Sequence, residues 1–142
     1  MKEQNLQNHS RYVPLYHFVA STLIVAILIG SIINLCHCTP ETCYSASLIV
    51  ALTVALILVW YFARAFALKA QDRAIRAEEN FRHFILSGKP LDSKLRMGQI
   101  IALRFAGDDE FLALAKRAVD ENLPGKEIKQ AIKNWRADHD RA

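Results

Sequence analysis

Two stretches of this 142-residue chain hold no charged residue: residues 15–35 and 44–63 contain no Asp, Glu, Lys or Arg. Each is about 20 residues, or about 30 Å as a helix, the depth of a bilayer's hydrocarbon core. That absence argues against the core hairpin of a soluble protein, whose helices are usually shorter and amphipathic. A second absence lies downstream, where residues 45–87 contain neither Gly nor Pro. The second apolar run is therefore expected to continue as one long helix. Catalytic signatures are missing too. There is no phosphate-cradling glycine loop, no H-E-x-x-H, no nucleophile elbow and no C-x-x-C. The five histidines, His9, His17, His37, His83 and His139, are scattered along the chain. The expectation is a non-enzyme with no cofactor and no metal.

What is present sets a membrane topology. The first run is too long for a cleaved leader and lacks a small-residue exit; in Ile33-Asn34-Leu35-Cys36, Leu35 stands where a lipoprotein site needs a small residue. Lys2 and Arg11 precede the first run, and Arg64, Lys69, Arg73 and Arg76 follow the second. The loop between them holds only Glu41, so both termini are expected in the cytoplasm. Tyr12, Tyr16, Trp60 and Tyr61 fall at the cytoplasmic ends, where interfacial aromatics belong. Asn8-His9-Ser10 has the letters of a glycosylation site but would lie on the wrong side of the membrane.

Small residues recur every four positions on each run: Ala26, Gly30 and Asn34 on the first, Ser47, Ala51 and Ala55 on the second. Folding the chain at Pro40-Glu41 opposes the two stripes, which predicts an antiparallel hairpin sealed along them, a reading favoured over the alternative that either stripe binds a second subunit. The same fold opposes Cys38 and Cys43, which an oxidising compartment would allow to pair. The three cysteines leave one over, and Cys-His-Cys with one further Cys matches no zinc spacing. A structural turn is favoured over an intermolecular disulfide or a thiol or metal site.

Beyond residue 63 the segment "LKAQDRAIRAEENFRHF" is largely charged, with acid-before-base pairs at Asp72–Arg76 and Glu78–Arg82. It predicts a solvated stalk, residues 64–87, that meets a small helical domain at its far end. Glu79 and His83 are expected as a surface pair. Gly88 and Pro90 stop the stalk. Three short helices should follow in residues 88–142: one capped by Asp92 or Ser93 and ending at Gly107, one capped by Asp108, and one after "NLPG" with the stripe Ile128, Ala131, Ile132 and Trp135. Asp108, Asp109 and Glu110 suit a helix start better than a cation site. Lys126, Lys129, Lys133 and Arg136 form a basic ridge opposite that stripe, available to anionic lipid or an acidic partner, though most such ridges are solvated faces. With a net charge of only +4 and no aromatic interleaving, nucleic acid is not an expected partner.

The segments "EQNLQNHSRYVPLYHF", "DRAIRAEENFRHF", "QIIALRFAGDDEF" and "KEIKQAIKNWRAD" together resemble a family of uncharacterised small two-span membrane proteins common in Bacteroidota. The resemblance spans nearly the whole chain, the cysteine loop excepted. It implies an inner-membrane protein with a helical cytoplasmic tail, and no activity or catalytic residue.

The resulting expectation is an all-α membrane protein: a cytoplasmic segment 1–14, transmembrane helices 15–35 and 44–63 joined by an extracytoplasmic loop 36–43, then stalk and domain. Its expected role is a non-enzymatic accessory or scaffold of the bacterial inner membrane. Phe81, Phe84, Phe111 and Trp135 would offer a docking surface to a membrane-protein partner or a second copy. The rival readings are a small oligomeric channel or transporter subunit, and thiol or metal chemistry in the cysteine loop.

Overall fold

The structure is a computed structural model that describes residues 5, 6 and 13–138; among these every regular element is a helix. The N-terminal expectations at Lys2, Asn8-His9-Ser10, Arg11 and Tyr12, and His139, lie outside the described residues. The chain divides into two compact units, residues 12–66 and residues 67–142 with 1–11.

In the first unit a π-helical segment, Leu15–Ala20, leads into α1, Ser21–Cys36. α2, Cys43–Ser87, begins in this unit, which ends at Phe66. Both helices are long and apolar enough to cross a membrane. Only 6 % of the most apolar window of the first, and 11 % of that of the second, is buried. A soluble core helix would be buried over most of its length.

The side chains that do lose exposure follow mostly alternating three- and four-residue steps. They include Ser21, Ile24, Leu28, Ser31 and Leu35 on α1, and Cys43, Ala46, Val50, Thr53, Ile57 and Trp60 on α2. The expected small-residue stripes are not this face: Ala26, Gly30, Asn34, Ser47, Ala51 and Ala55 are all exposed, and nothing lies within 4 Å of where a Gly30 Cβ would stand. The correction has a geometric cause. A strict four-residue row winds around the helix, whereas three-four alternation stays on one side along its length. The hydroxyls of Ser31 and Thr53 can enter the buried face because each donates within its own helix, to the carbonyls of Leu28 at 2.9 Å and Ile49 at 2.8 Å.

In the link between α1 and α2, the amides of Thr42 and Cys43 both donate to the Thr39 carbonyl at 2.9 Å, and Cys38 and Cys43 form a disulfide with Cα atoms 5.0 Å apart. At the other end of these helices the Tyr16 ring stacks on Trp60, centroids 5.3 Å apart, and its hydroxyl donates to the Trp60 carbonyl.

The second unit contains the rest of α2 and three short helices: α3, Met97–Leu103, α4, Asp108–Asp120, and α5, Gly125–Ala131. α4 buries Phe111, Leu114, Ala115 and Ala118, one side of a 3.6-residue period. Phe105, Phe111, Leu103 and Ile128 are the largest fully buried side chains. α3 and α5 pack so closely that a Cβ on Gly125 would stand 2.8 Å from the Gly98 carbonyl oxygen. Buried Gln99 ties the layers: its amide donates to the carbonyls of Ala118 at 3.0 Å and Leu123 at 2.9 Å, while its oxygen accepts the Arg96 amide at 2.8 Å.

Several boundaries move from expectation. α3 starts after Arg96, because Asp92 instead accepts the Lys94 amide in a turn, and it ends at Leu103 rather than Gly107. Gly107 takes the N-cap position of α4 and frees the Asp108 side chain for another contact. α5 ends at Ala131, after which the chain turns extended and Trp135 bridges to Ala106. The backbone pairs there, with Arg136 donating to the Phe105 carbonyl at 2.8 Å and Gly107 to that of Asn134 at 2.9 Å. Those pairings satisfy groups that a longer helix would have bonded internally.

The part of α2 after Ala67 is not a bare solvated stalk. Ile75 joins the core, Glu79 is 5 % exposed, and Phe81, Phe84 and Ile85 instead face outward. Gly88 adopts φ +72° at the end of α2, the left-handed conformation that closes a helix without Cβ strain.

Candidate functional site

Arg82 is where α2 fastens to the short helices. Its Nε donates to Asp108 Oδ1 at 2.7 Å, one terminal nitrogen to Glu79 Oε2 at 3.1 Å and the other to the Ala106 carbonyl at 2.7 Å. The guanidinium carbon also sits 4.3 Å from the centre of the Phe111 ring. Planarity and five donors suit an arginine to this three-way contact, and a lysine could not reproduce it. His83, one position on, sets its ring edge to Phe111 at 6.0 Å and donates from Nδ1 to the Lys89 carbonyl at 2.7 Å. Asn80 completes the row by accepting the Leu91 amide at 2.9 Å.

Glu79 is therefore neither exposed nor paired with His83, and Arg82 does not pair with Glu78. The i,i+3 spacing puts Glu79 and Arg82 on the inward face of α2. Burial holds the Glu79 carboxyl above its ordinary value, and Arg82 pulls partly back. Depriving a carboxylate of water disfavours its charged form, and one nearby cation offsets this only in part. Arg104 repeats the pattern on the other side of the core: 6 % exposed, it pairs with Asp138 at 3.0 Å and covers the Phe105 ring at 4.7 Å. The long-range partners of Arg82, Gln99 and Arg104 have no signal in the sequence, because they lie 19 or more positions away.

The acidic start of α4 is consumed by the fold. Asp108 holds Arg82, Asp109 accepts from the Asn134 side chain, and Glu110 accepts the amides of Lys133 at 3.1 Å and Asn134 at 3.0 Å. Among the described residues no group of three His, Cys, Asp or Glu side chains could hold a metal ion. Cys36 is an exposed free thiol, and His37 Nδ1 contacts the Ile33 carbonyl at 2.9 Å.

The expected docking surface is split. Phe81 and Phe84 are 64 % and 53 % exposed, but Phe111 is wholly buried beneath Arg82, and Trp135 is half-buried against Phe105, ring centroids 5.3 Å apart. The basic residues are not one helical ridge either. Lys126 and Lys129 lie on α5, with the Lys129 ammonium 5.4 Å from the Phe105 ring centre, whereas Lys133 and Arg136 lie on the extended chain beyond it. The arrangement joins helices.

A family model covers residues 1–142, described as a family of unknown function, DUF6526. The chain belongs to the DUF6526 family. No curated protein and no solved structure matches this DUF6526 chain. The segments quoted above thus sit in a family whose match runs through the cysteine loop as well.

Proposed function

We propose that this protein is a non-enzymatic scaffold of the bacterial inner membrane, in which an antiparallel hairpin of α1 and the first part of α2 anchors a helical cytoplasmic docking module. The observation that carries the reading is the exposure of the two apolar helices. Leu15, Phe18, Leu23, Val25, Leu52 and Val59 range from 54 % to 74 % exposed, in helices apolar on every side. About 25 cal/mol per Å² of apolar surface disfavours leaving such helices in water, and lipid removes the cost. The Cys38–Cys43 disulfide at one end and the Tyr16–Trp60 contact at the other support the antiparallel hairpin.

The basic residues after the second run favour the tail inside, which puts the disulfide in an oxidising compartment. The module offers exposed Phe81 and Phe84 to a membrane-protein partner or another copy, and exposed Lys126 to anionic headgroups.

Cys36 reports on the topology. A membrane-impermeant maleimide applied to intact spheroplasts is expected to label Cys36, while protease from the same side leaves the tail uncut and carbonate washing leaves the protein in the membrane. Labelling only after lysis, or release by carbonate, would overturn the reading.

A further inference from the structure

We infer that the second part of α2 pairs with the same helix of a second copy, in parallel, through the face formed by Ala70, Ala74, Ala77, Phe81 and Phe84. All five are exposed, and they alternate four and three positions apart over about 21 Å of helix. That alternation is the requirement for two helices to keep one side in contact along their length. Ile75, Glu79 and Arg82, which hold the short helices, lie on the opposite side of α2. The module borders one edge of this face, where Ala77 and Arg73 line a cavity with Leu91 and Asp92, but leaves its five residues exposed. Alanine at the first three positions permits close approach, and the two phenylalanines supply apolar area at the far end.

Charge identifies the occupant. Arg73 and Glu78 flank the apolar face on its two sides, five residues apart. In a parallel two-stranded pair the flanking residue of one helix meets the residue five positions later on its partner. Arg73 of each copy therefore faces Glu78 of the other, twice by symmetry. The two cannot meet within one helix, since five residues place them on different sides. Neither side chain forms an ion pair or hydrogen bond among the described residues. A two-heptad contact is short for helices free in solution, but tethering raises the effective concentration. The parallel sense thus rests on the anchoring proposed above.

The test is disulfide scanning of the full chain in its own membranes, in a Cys36→Ser background, with single cysteines from position 70 to 84 and a mild oxidant. Homodimer bands are expected at 70, 74, 77, 81 and 84, with only background at 76, on the outer side. Antiparallel helices would link only near the centre of the face, and a different partner would give a band of another mass; either outcome, or absence of periodicity, overturns the inference. Glu78→Arg should abolish the links by setting Arg against Arg, and the Arg73→Glu, Glu78→Arg exchange should restore them. Failure of that rescue also overturns it. Carbonate washing is scored separately, so a protein retained in the membrane without the links sinks the pairing and spares the anchor.

Discussion

At the scale of single residues, buried charge concentrates the risk. Arg82→Ala removes hydrogen bonds to Glu79, Asp108 and the Ala106 carbonyl and leaves Glu79 buried without its cation. Stripping one partner from such a pair costs about 3 kcal/mol or more. The tail of the detergent-solubilised variant should therefore melt well below the parent, followed by the environment of Trp135. Arg82→Lys should recover only part of the loss. Glu79 predicts a pH dependence as well. Its folded pKa is raised above the ordinary 4.5, so between those two values the folded form holds more protons than the unfolded. Stability from this group is full below about 4.5, falls as pH rises through the raised value, and is flat above it. Glu79→Gln should remove that slope when melting temperature is compared with the parent from mildly acidic to neutral pH; identical slopes would refute the assignment. The sequence showed these residues only as surface charges, since a partner such as Asp108, 26 positions from Arg82, has no local signature.

At the scale of elements, the sequence disclosed helices more reliably than the faces they use. Uninterrupted apolar runs and Gly88 were legible because length, absence of breakers and a left-handed cap are local properties. The end of α5 was not, because Ile132 and Trp135 continue a helical period while the backbone has already turned to pair with Phe105 and Ala106. Small residues every four positions were a misleading guide for α1, where Leu28 and Ser31 are covered and Gly30 is open. Two substitutions separate the faces. Ser31→Leu forces bulk into a covered position and should lower the stability of the first unit by about 1–3 kcal/mol. Gly30→Leu enters open space and should leave it unchanged. Resistance to unfolding in detergent is the measurement, and the reverse order would reinstate the four-residue stripe. In the other unit, Gly125→Ala meets the Gly98 carbonyl oxygen at 2.8 Å, a backbone atom that cannot swing aside. It should loosen α3 from α5 and lower the melting temperature, whereas alanine at Gly98, with nothing within 4 Å, should not.

At the scale of the whole molecule, the apolar runs made two helices long and apolar enough to cross a membrane legible, but the charged segment after them disguised how the tail is built. Residues 64–87 look solvated because one apolar side chain, Ile75, joins the core while the other inward contacts come from polar or charged ones, Glu79, Asn80, Arg82 and His83. A boundary at residue 88 would sever that face from Phe111, Ala106 and Leu91, all of which it contacts or hydrogen-bonds. Small cores are marginal, and one that loses a wall exposes apolar groups and leaves Asp108 without its cation. A fragment beginning at Ala67 should therefore unfold cooperatively on heating, followed by circular dichroism. One beginning at Gly88 should show weak helicity and no transition. If the shorter fragment melted as sharply and at the same temperature, α2 would be a tether to a self-sufficient domain, and the Arg82 contacts would be incidental to its folding.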